Sequence, residues 1–183
     1  MKIRAREQLI DFINHGNKVK YIYFWGHQEK GSDVSKSCFS QWYKSPFYEG
    51  DNRFITAEQY MMYHKAKLFC DKKACDKILH SSNPGEAKLI GRKVLSFKQE
   101  VWEEKRFDII VNGNLAKFSQ NKKLGEFLTN TKERVLVEAS PVDKIWGIGL
   151  AQDNPASNDP SRWRGLNLLG FALMEVRDKL AHE

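Results

Sequence analysis

Two charged residues seven positions apart, Glu58 and Lys65, stand in an otherwise largely apolar and aromatic stretch, Ile55 to Phe69. A carboxylate can stabilise a developing cation, position water or exchange a proton. An amine with a lowered pKa can attack an electrophilic carbon. The stretch reads as a helix, with Thr56 as N-cap, Gln59 completing a capping box, and no Gly or Pro to interrupt it. At 3.6 residues per turn Glu58, Met62, Lys65 and Phe69 share one stripe, and Ala57, Tyr60, Met61, His64 and Leu68 another. A helix apolar on most sides is buried, so the two charges are expected on a buried helix about 10 Å apart along its axis. Burying charge is costly unless it is paired or faces a wet cleft. Two readings stand side by side: a structural ion pair or a Lys that reaches to solvent, and an active-site carboxylate and amine.

Three other positions invite both kinds of reading. Asp143 follows a strand end, three residues before Trp146 and beside a Gly-rich turn; it could accept a sugar hydroxyl or activate water, or cap the turn. Trp102 lies mid-helix among apolar residues, where it packs the core or stacks on a base. Arg92 follows a Gly at a helix end and could clamp a phosphate or complement the helix dipole. There is no GxxxxGK[ST], GxGxxG, HExxH or GxSxG. The five histidines do not pair at ligand spacing, so no metal site is expected. Gly147-Ile148-Gly149 alone is weak evidence for a phosphate loop.

The elements that must position these residues can be read in order. Residues 6–15 form an amphipathic helix stopped by Gly16. Val19 to Trp25 is a strand by its β-branched and aromatic content, ended by Gly26-His27. Gln28 to Ser37 is a loop. Cys38 to Phe47 is dense in rings and without period, and either lines a pocket or packs on the core. Tyr48 to Asp51 is a turn, and Arg53 to Ile55 leads into the central helix. Lys72 to His80 is a helix, and Asn83, Pro84 and Glu86 mark the start of another that ends near Gly91. A long helix runs from Phe97 to about Gln120, with Gly113 a local weakness. Lys122 to Thr129 is a short helix. Arg134 to Ala139 is a strand stopped by Pro141, Ala151 to Arg164 a long loop, and Leu166 to Ala181 an amphipathic helix.

The chain has 183 residues and 41% hydrophobic residues, 12% of the total being aromatic, which suits one globular domain rather than disorder. No apolar run approaches a membrane span, and the charged N-terminus is not a secretory signal. The three cysteines have no CxxC spacing, which points to free thiols in a reducing, cytoplasmic setting. The net charge of +7 suits phosphate-bearing ligands or nucleic acid. The positive charge reads as scattered, with its densest cluster (Lys65, Lys67, Lys72, Lys73 and Lys77) broken by acids.

Taken as an ordered series, these segments resemble the NADAR/YbiA-like family of N-glycosidases. The resemblance is carried by Phe24-Trp25-Gly26-His27, Cys38-Phe39-Ser40-Gln41-Trp42, Ser45-Pro46-Phe47, Thr56 to Met62 with Lys65-Ala66, and Asn83-Pro84 with Gly91-Arg92. Trp102, Lys117-Phe118, Leu136 to Ser140, Asp143, Trp146 to Gly149, Trp163-Arg164-Gly165 and Asn167 to Gly170 continue it. Two positions depart from the family pattern: Gln59 stands in place of a His, and Gln41 in place of an Asn.

The resemblance implies one mainly α domain over residues 1–183, α+β with a few short strands, and hydrolysis of a ribose C1′–N bond. Its substrates would be ADP-ribosylated guanine in nucleic acid or nucleotides, or small ribosylamino-pyrimidine phosphates of riboflavin synthesis. By matching positions Glu58 and Lys65 are the essential acid and lysine, with Asp143 a third catalytic candidate. Trp25, Gly26, His27, Trp42, Arg92, Trp102, Trp146, Gly147 and Asn167 are expected against the substrate. No metal or redox cofactor, no membrane and no obligate protein partner is implied. The rival from another class is a non-catalytic module that binds ADP-ribose or nucleic acid.

Overall fold

The computed structural model describes residues 3–28, 31 and 33–182. Glu29, Lys30 and Ser32, within the stretch expected as a loop, lie outside the described residues, as do Met1, Lys2 and Glu183. The fold is mainly helical, with seven α-helices and few short strands among the described residues. The chain divides into two compact units, residues 41–122 and residues 1–40 with 123–183.

The first unit is built on α2 (Ala57–Leu68), which packs against α3 (Lys72–Leu79), α4 (Pro84–Gly91) and α5 (Gln99–Gln120). Ahead of α2 runs a hairpin of β2 (Phe47–Glu49) and β3 (Asn52–Phe54). The expectation of a plain turn followed by a lead-in missed these strands, because three residues are too few to display a period of two. Gly50, at φ +56°, supplies the left-handed position that a two-residue connection demands. Phe47, Phe54 and Tyr60 form a buried core, with Tyr63, Leu79, Ile109 and Ala116 against it. The α5 helix continues through Gly113, whose missing Cβ leaves room for the Tyr60 ring; a side chain there would collide with it. Gly91 on α4 makes the same room for Met62.

Both capping boxes form one residue out of the expected register. Thr56 accepts from the Gln59 amide at 3.2 Å, but the Gln59 side chain reaches back to the Ile55 N–H at 2.8 Å rather than to Thr56. At α4, Asn83 accepts from the Glu86 amide at 2.9 Å, and Glu86 reaches the Ser82 N–H at 2.8 Å. Caps of this kind contribute about 1 kcal/mol each.

The second unit pairs β1 (Tyr21–Phe24) with β4 (Val135–Glu138) in parallel, from Tyr21 opposite Val135 to Phe24 opposite Glu138. It also holds α1 (Arg6–Asn14), nearly all of α6 (Lys122–Thr129), and α7 (Leu168–Leu180), which packs on β4. The expected long loop, residues 151–164, holds two short 3-10 turns, Pro155–Asn158 and Pro160–Arg162. Side chains pin it: Trp163 Nε1 donates to Ser157 O at 2.7 Å and the Tyr23 hydroxyl to Asn158 Oδ1 at 2.7 Å. No helix among the described residues is long and apolar enough to cross a membrane.

Candidate active site

In the 41–122 unit, Glu58 lies in the first turn of α2 and is 3% exposed. Its backbone N–H, one of the helix's otherwise orphan donors, goes to Gln41 O at 2.9 Å. Gln41 is itself locked by a reciprocal amide pair with Asn114 of α5, at 3.1 Å and 3.4 Å. Beside Glu58, the buried Gln59 amide accepts from Ile55 and donates to Ile78 O, Leu79 O and Ser81 Oγ at 2.8, 3.2 and 3.3 Å. The two departures from the family pattern therefore occupy structural posts: Gln59 ties the end of α3 to the start of α2, and Gln41 ties α5 to the Glu58 amide at the start of α2.

Lys65 lies two turns further along α2 and is half-buried. Its Nζ sits 4.3 Å from the centroid of the Phe97 ring and 5.8 Å from that of Trp102. Phe69 packs edge-on against Phe97 at 5.2 Å, closing the aromatic surround. Among the described residues no carboxylate stands within ion-pair distance of Lys65. Burial holds its pKa below the ordinary lysine value. Ring faces attract an ammonium, but they do not replace its hydration as a carboxylate would.

Trp102 is buried in the first turn of α5, so the stacking it offers is to Lys65 and to whatever enters beside it. Trp42 is half-buried, with Lys88 Nζ 5.7 Å above its ring. Arg92 is exposed at the C-terminal end of α4.

In the other unit the parallel pairing brings both strand ends to one edge, the usual place for a ligand beside parallel strands. Trp25, Gly26 and His27 continue from β1 there and are exposed, Trp25 at 62%. Trp25 helps line a cavity of about 620 Å³ with Gln28, Asp33, Ser35, Ser37 and Gln152. From β4 the chain passes Ser140, whose hydroxyl accepts from the Asp143 N–H at 3.2 Å. Asp143 Oδ1 accepts from the Ile145 and Trp146 amides, both at 2.8 Å, so this carboxylate shapes the turn that carries Trp146.

The Gly147-Ile148-Gly149 amides do not form an open anion cradle. Ile148 N donates to Glu138 O at 2.9 Å and Gly149 N to Asp143 O at 3.0 Å. Gly147 is buried so tightly that a Cβ would lie 2.8 Å from Glu138 O. Asn167 is fully buried at φ +55°, and its amide acts as a surrogate strand: Oδ1 accepts from Glu138 N and Nδ2 donates to Leu136 O, both at 2.9 Å. It holds β4 to the start of α7.

One charged residue escaped the search for chemistry. Lys117 of α5 is 0% exposed, its Nζ 5.0 Å from the Phe118 ring and 5.6 Å from that of Tyr43. Its signal was available: it falls three residues after Asn114 and one before Phe118, on the face of α5 that also carries Ile110 and Val111.

The NADAR domain family matches residues 23–181 of this chain. An N-glycosidase of Acanthamoeba polyphaga mimivirus is 41% identical over 165 residues, 87% of this chain and 96% of that one. The N-glycosidase YbiA of Escherichia coli is 28% identical over 183 residues, 100% of this chain and 99% of that one. The riboflavin biosynthesis protein PYRR of Arabidopsis thaliana is 36% identical over 112 residues, 59% of this chain but 17% of that one. The solution structure of E. coli YbiA superimposes with a TM-score of 0.69 at 25% identity, over 91% of this chain and 88% of that one. The chain belongs to the NADAR family, and its mimivirus and E. coli relatives are named N-glycosidases, enzymes that hydrolyse N-glycosyl bonds.

Proposed function

We propose that the protein hydrolyses the bond between ribose C1′ and a base nitrogen, and that its substrate is ADP-ribose joined to guanine in nucleic acid or in a nucleotide. The observation that carries this reading is the Lys65 amine, held against Phe97 and Trp102 by burial that favours its neutral form. A neutral amine is the form that attacks carbon.

In the first route Lys65 Nζ attacks C1′ and the C1′–N bond breaks, the departing nitrogen taking a proton from Glu58. The attached amine loses a proton, the ribose ring opens to a Schiff base, and water adds to C1′ and releases Lys65. In the second route water attacks C1′ directly. Glu58 stabilises the oxocarbenium-like charge or takes the water's proton, and the Lys65 ammonium protonates the leaving nitrogen. Asp143 has Oδ1 engaged by two amides, and its Oδ2 holds a ribose hydroxyl in this reading. In the 41–122 unit the rings proposed to contact base or sugar are Trp42 and Trp102; in the other unit the proposed substrate contacts are Trp25, Gly26, His27, Trp146 and Gly147. Arg92 binds phosphate, while Asn167 supports the edge from behind. No disulfide joins Cys38, Cys70 or Cys75 among the described residues, which supports action in a reducing, cytoplasmic compartment.

A second substrate reading follows from the name of the plant relative: ribosylamino-pyrimidine phosphates. The deciding experiment is ADP-ribose release from an oligonucleotide carrying ADP-ribosyl-guanine, run beside pyrimidine release from a ribosylamino-pyrimidine phosphate, with Glu58→Gln and Lys65→Ala in parallel. Free ADP-ribose from wild type alone supports the reading; near-normal turnover by either variant overturns the assignment of that residue. Borohydride added during turnover separates the routes, because only the first leaves a stable adduct on Lys65.

A further inference from the structure

We infer that the groove between α3 and α4 holds a single strand of nucleic acid by its phosphates, outside the pocket where the glycosidic bond is cut. The inference rests on the nucleic-acid form of the reading above only for its biological use; strand binding itself needs no cleavage.

The chain's surplus charge is concentrated rather than spread. Residues 65–98 hold nine Lys or Arg against Asp71, Asp76 and Glu86, a balance of +6 out of the chain's +7. Folding gathers part of this set into a groove of about 660 Å³ whose cationic lining is Lys73, Lys77 and Lys93, with the His80 imidazole beside them. Lys73 and Lys77 are one turn apart on α3 and so point from one face. The His80 ring is fixed through Nδ1 to Asp76 O at 2.7 Å, which directs Nε2 away from the helix.

The two acids lining the groove are already engaged. Asp71 Oδ1 accepts from Ala74 N at 3.0 Å and Oδ2 from Leu95 N at 2.9 Å, while Glu86 Oε2 accepts from Ser82 N and Oγ at 2.8 and 3.0 Å. Lys73 and Lys77 feel the Asp71 charge at a distance, yet among the described residues no ion pair claims Lys73, Lys77 or Lys93. The remaining wall is aliphatic: Leu89 and Leu95 are 59% and 67% exposed, and no Phe, Tyr or Trp lines the groove. Cations with aliphatic contacts and no stacking platform suit a sugar–phosphate backbone read without regard to sequence.

The test is fluorescence anisotropy with a short unmodified single-stranded oligonucleotide, comparing wild type with the triple variant Lys73→Glu, Lys77→Glu, Lys93→Glu. The double variant Lys18→Glu, Lys20→Glu, on the other basic cavity, serves as control. Loss of three phosphate contacts should weaken binding at least tenfold at low salt. It should also flatten the slope of log affinity against log salt by about 2, at about 0.7 per contact on single strands. Turnover of a small ADP-ribosyl nucleotide should be unchanged, while KM for the oligonucleotide-borne substrate rises. Wild-type affinity in the triple variant overturns the inference, as does an equal loss in the control, which would make net charge the cause. Binding of poly-glutamate but not of the oligonucleotide also overturns it, in favour of an acidic protein partner. If the groove binds strands but no N-glycosyl bond is ever cut, the glycosidase reading fails and this inference stands.

Discussion

His64 and Lys65 are neighbours on α2, and burial pushes the pKa of both down, yet their surroundings treat charge in opposite ways. His64 Nε2 meets Glu49 Oε2 at 2.8 Å, the Tyr60 hydroxyl donates to Glu49 Oε1 at 2.7 Å, and the His64 and Tyr60 rings lie 4.1 Å apart. The carboxylate works against burial and raises the His64 pKa part of the way back. Lys65, one residue on, has ring faces and no carboxylate. The first is a closed polar network, which stabilises and orients. The second leaves an amine in an environment that favours its reactive form, the pattern found where chemistry is done.

The largest test of this contrast swaps cations. Lys65→Arg keeps a charge over Phe97 but cannot supply a neutral amine, so turnover should fall at least a hundredfold while urea unfolding is nearly unchanged. Retention of activity within a few-fold would return Lys65 to a structural role. The mirror experiment, His64→Ala, should cost about 1 kcal/mol of stability by removing one of the two hydrogen bonds to the part-exposed Glu49 carboxylate, with turnover of the folded protein close to wild type.

A third test is the pH profile. Turnover through a neutral Lys65 should rise with pH along a limb set by a group whose pKa is below the ordinary lysine value, and that limb should vanish in Lys65→Arg; a flat profile would count against the first route. The smallest effect is Glu49→Gln. Because Glu49 raises the His64 pKa, its removal should lower that pKa further, seen as a midpoint at lower pH in an NMR titration. A histidine with a depressed folded pKa makes the folded state lose stability as pH falls through the window below 6.5, and the variant should lose more there than wild type.

Local chemistry was legible in the sequence where it is self-contained. Thr56 and Asn83 announce α2 and α4, because a cap is written in three or four adjacent residues. The expected pairing of Glu58 and Lys65 with a buried helix holds for the same reason. What escaped is what depends on distant chain. Glu49 has no visible partner until β2 and β3 fold back and present it to His64. Asn167 looks like any polar residue before a helix, yet it completes the edge of β4 some thirty residues upstream. Lysines that look scattered along the chain meet only when α3 and α4 pack side by side.

The parallel pairing of Phe24 with Glu138 has a consequence in time. Residues 41–122 lie wholly between the two strands, so they leave the ribosome complete while β1 still waits for its partner. Domains fold as units during synthesis, so the helix bearing Glu58 and Lys65 matures first. The edge bearing Trp25 and Asp143 closes only after β4 emerges. A nascent chain thus holds its candidate nucleophile ready well before Asp143, Trp146, Gly147 and Asn167 arrive, and a product cut short before β4 would carry that lysine without those four.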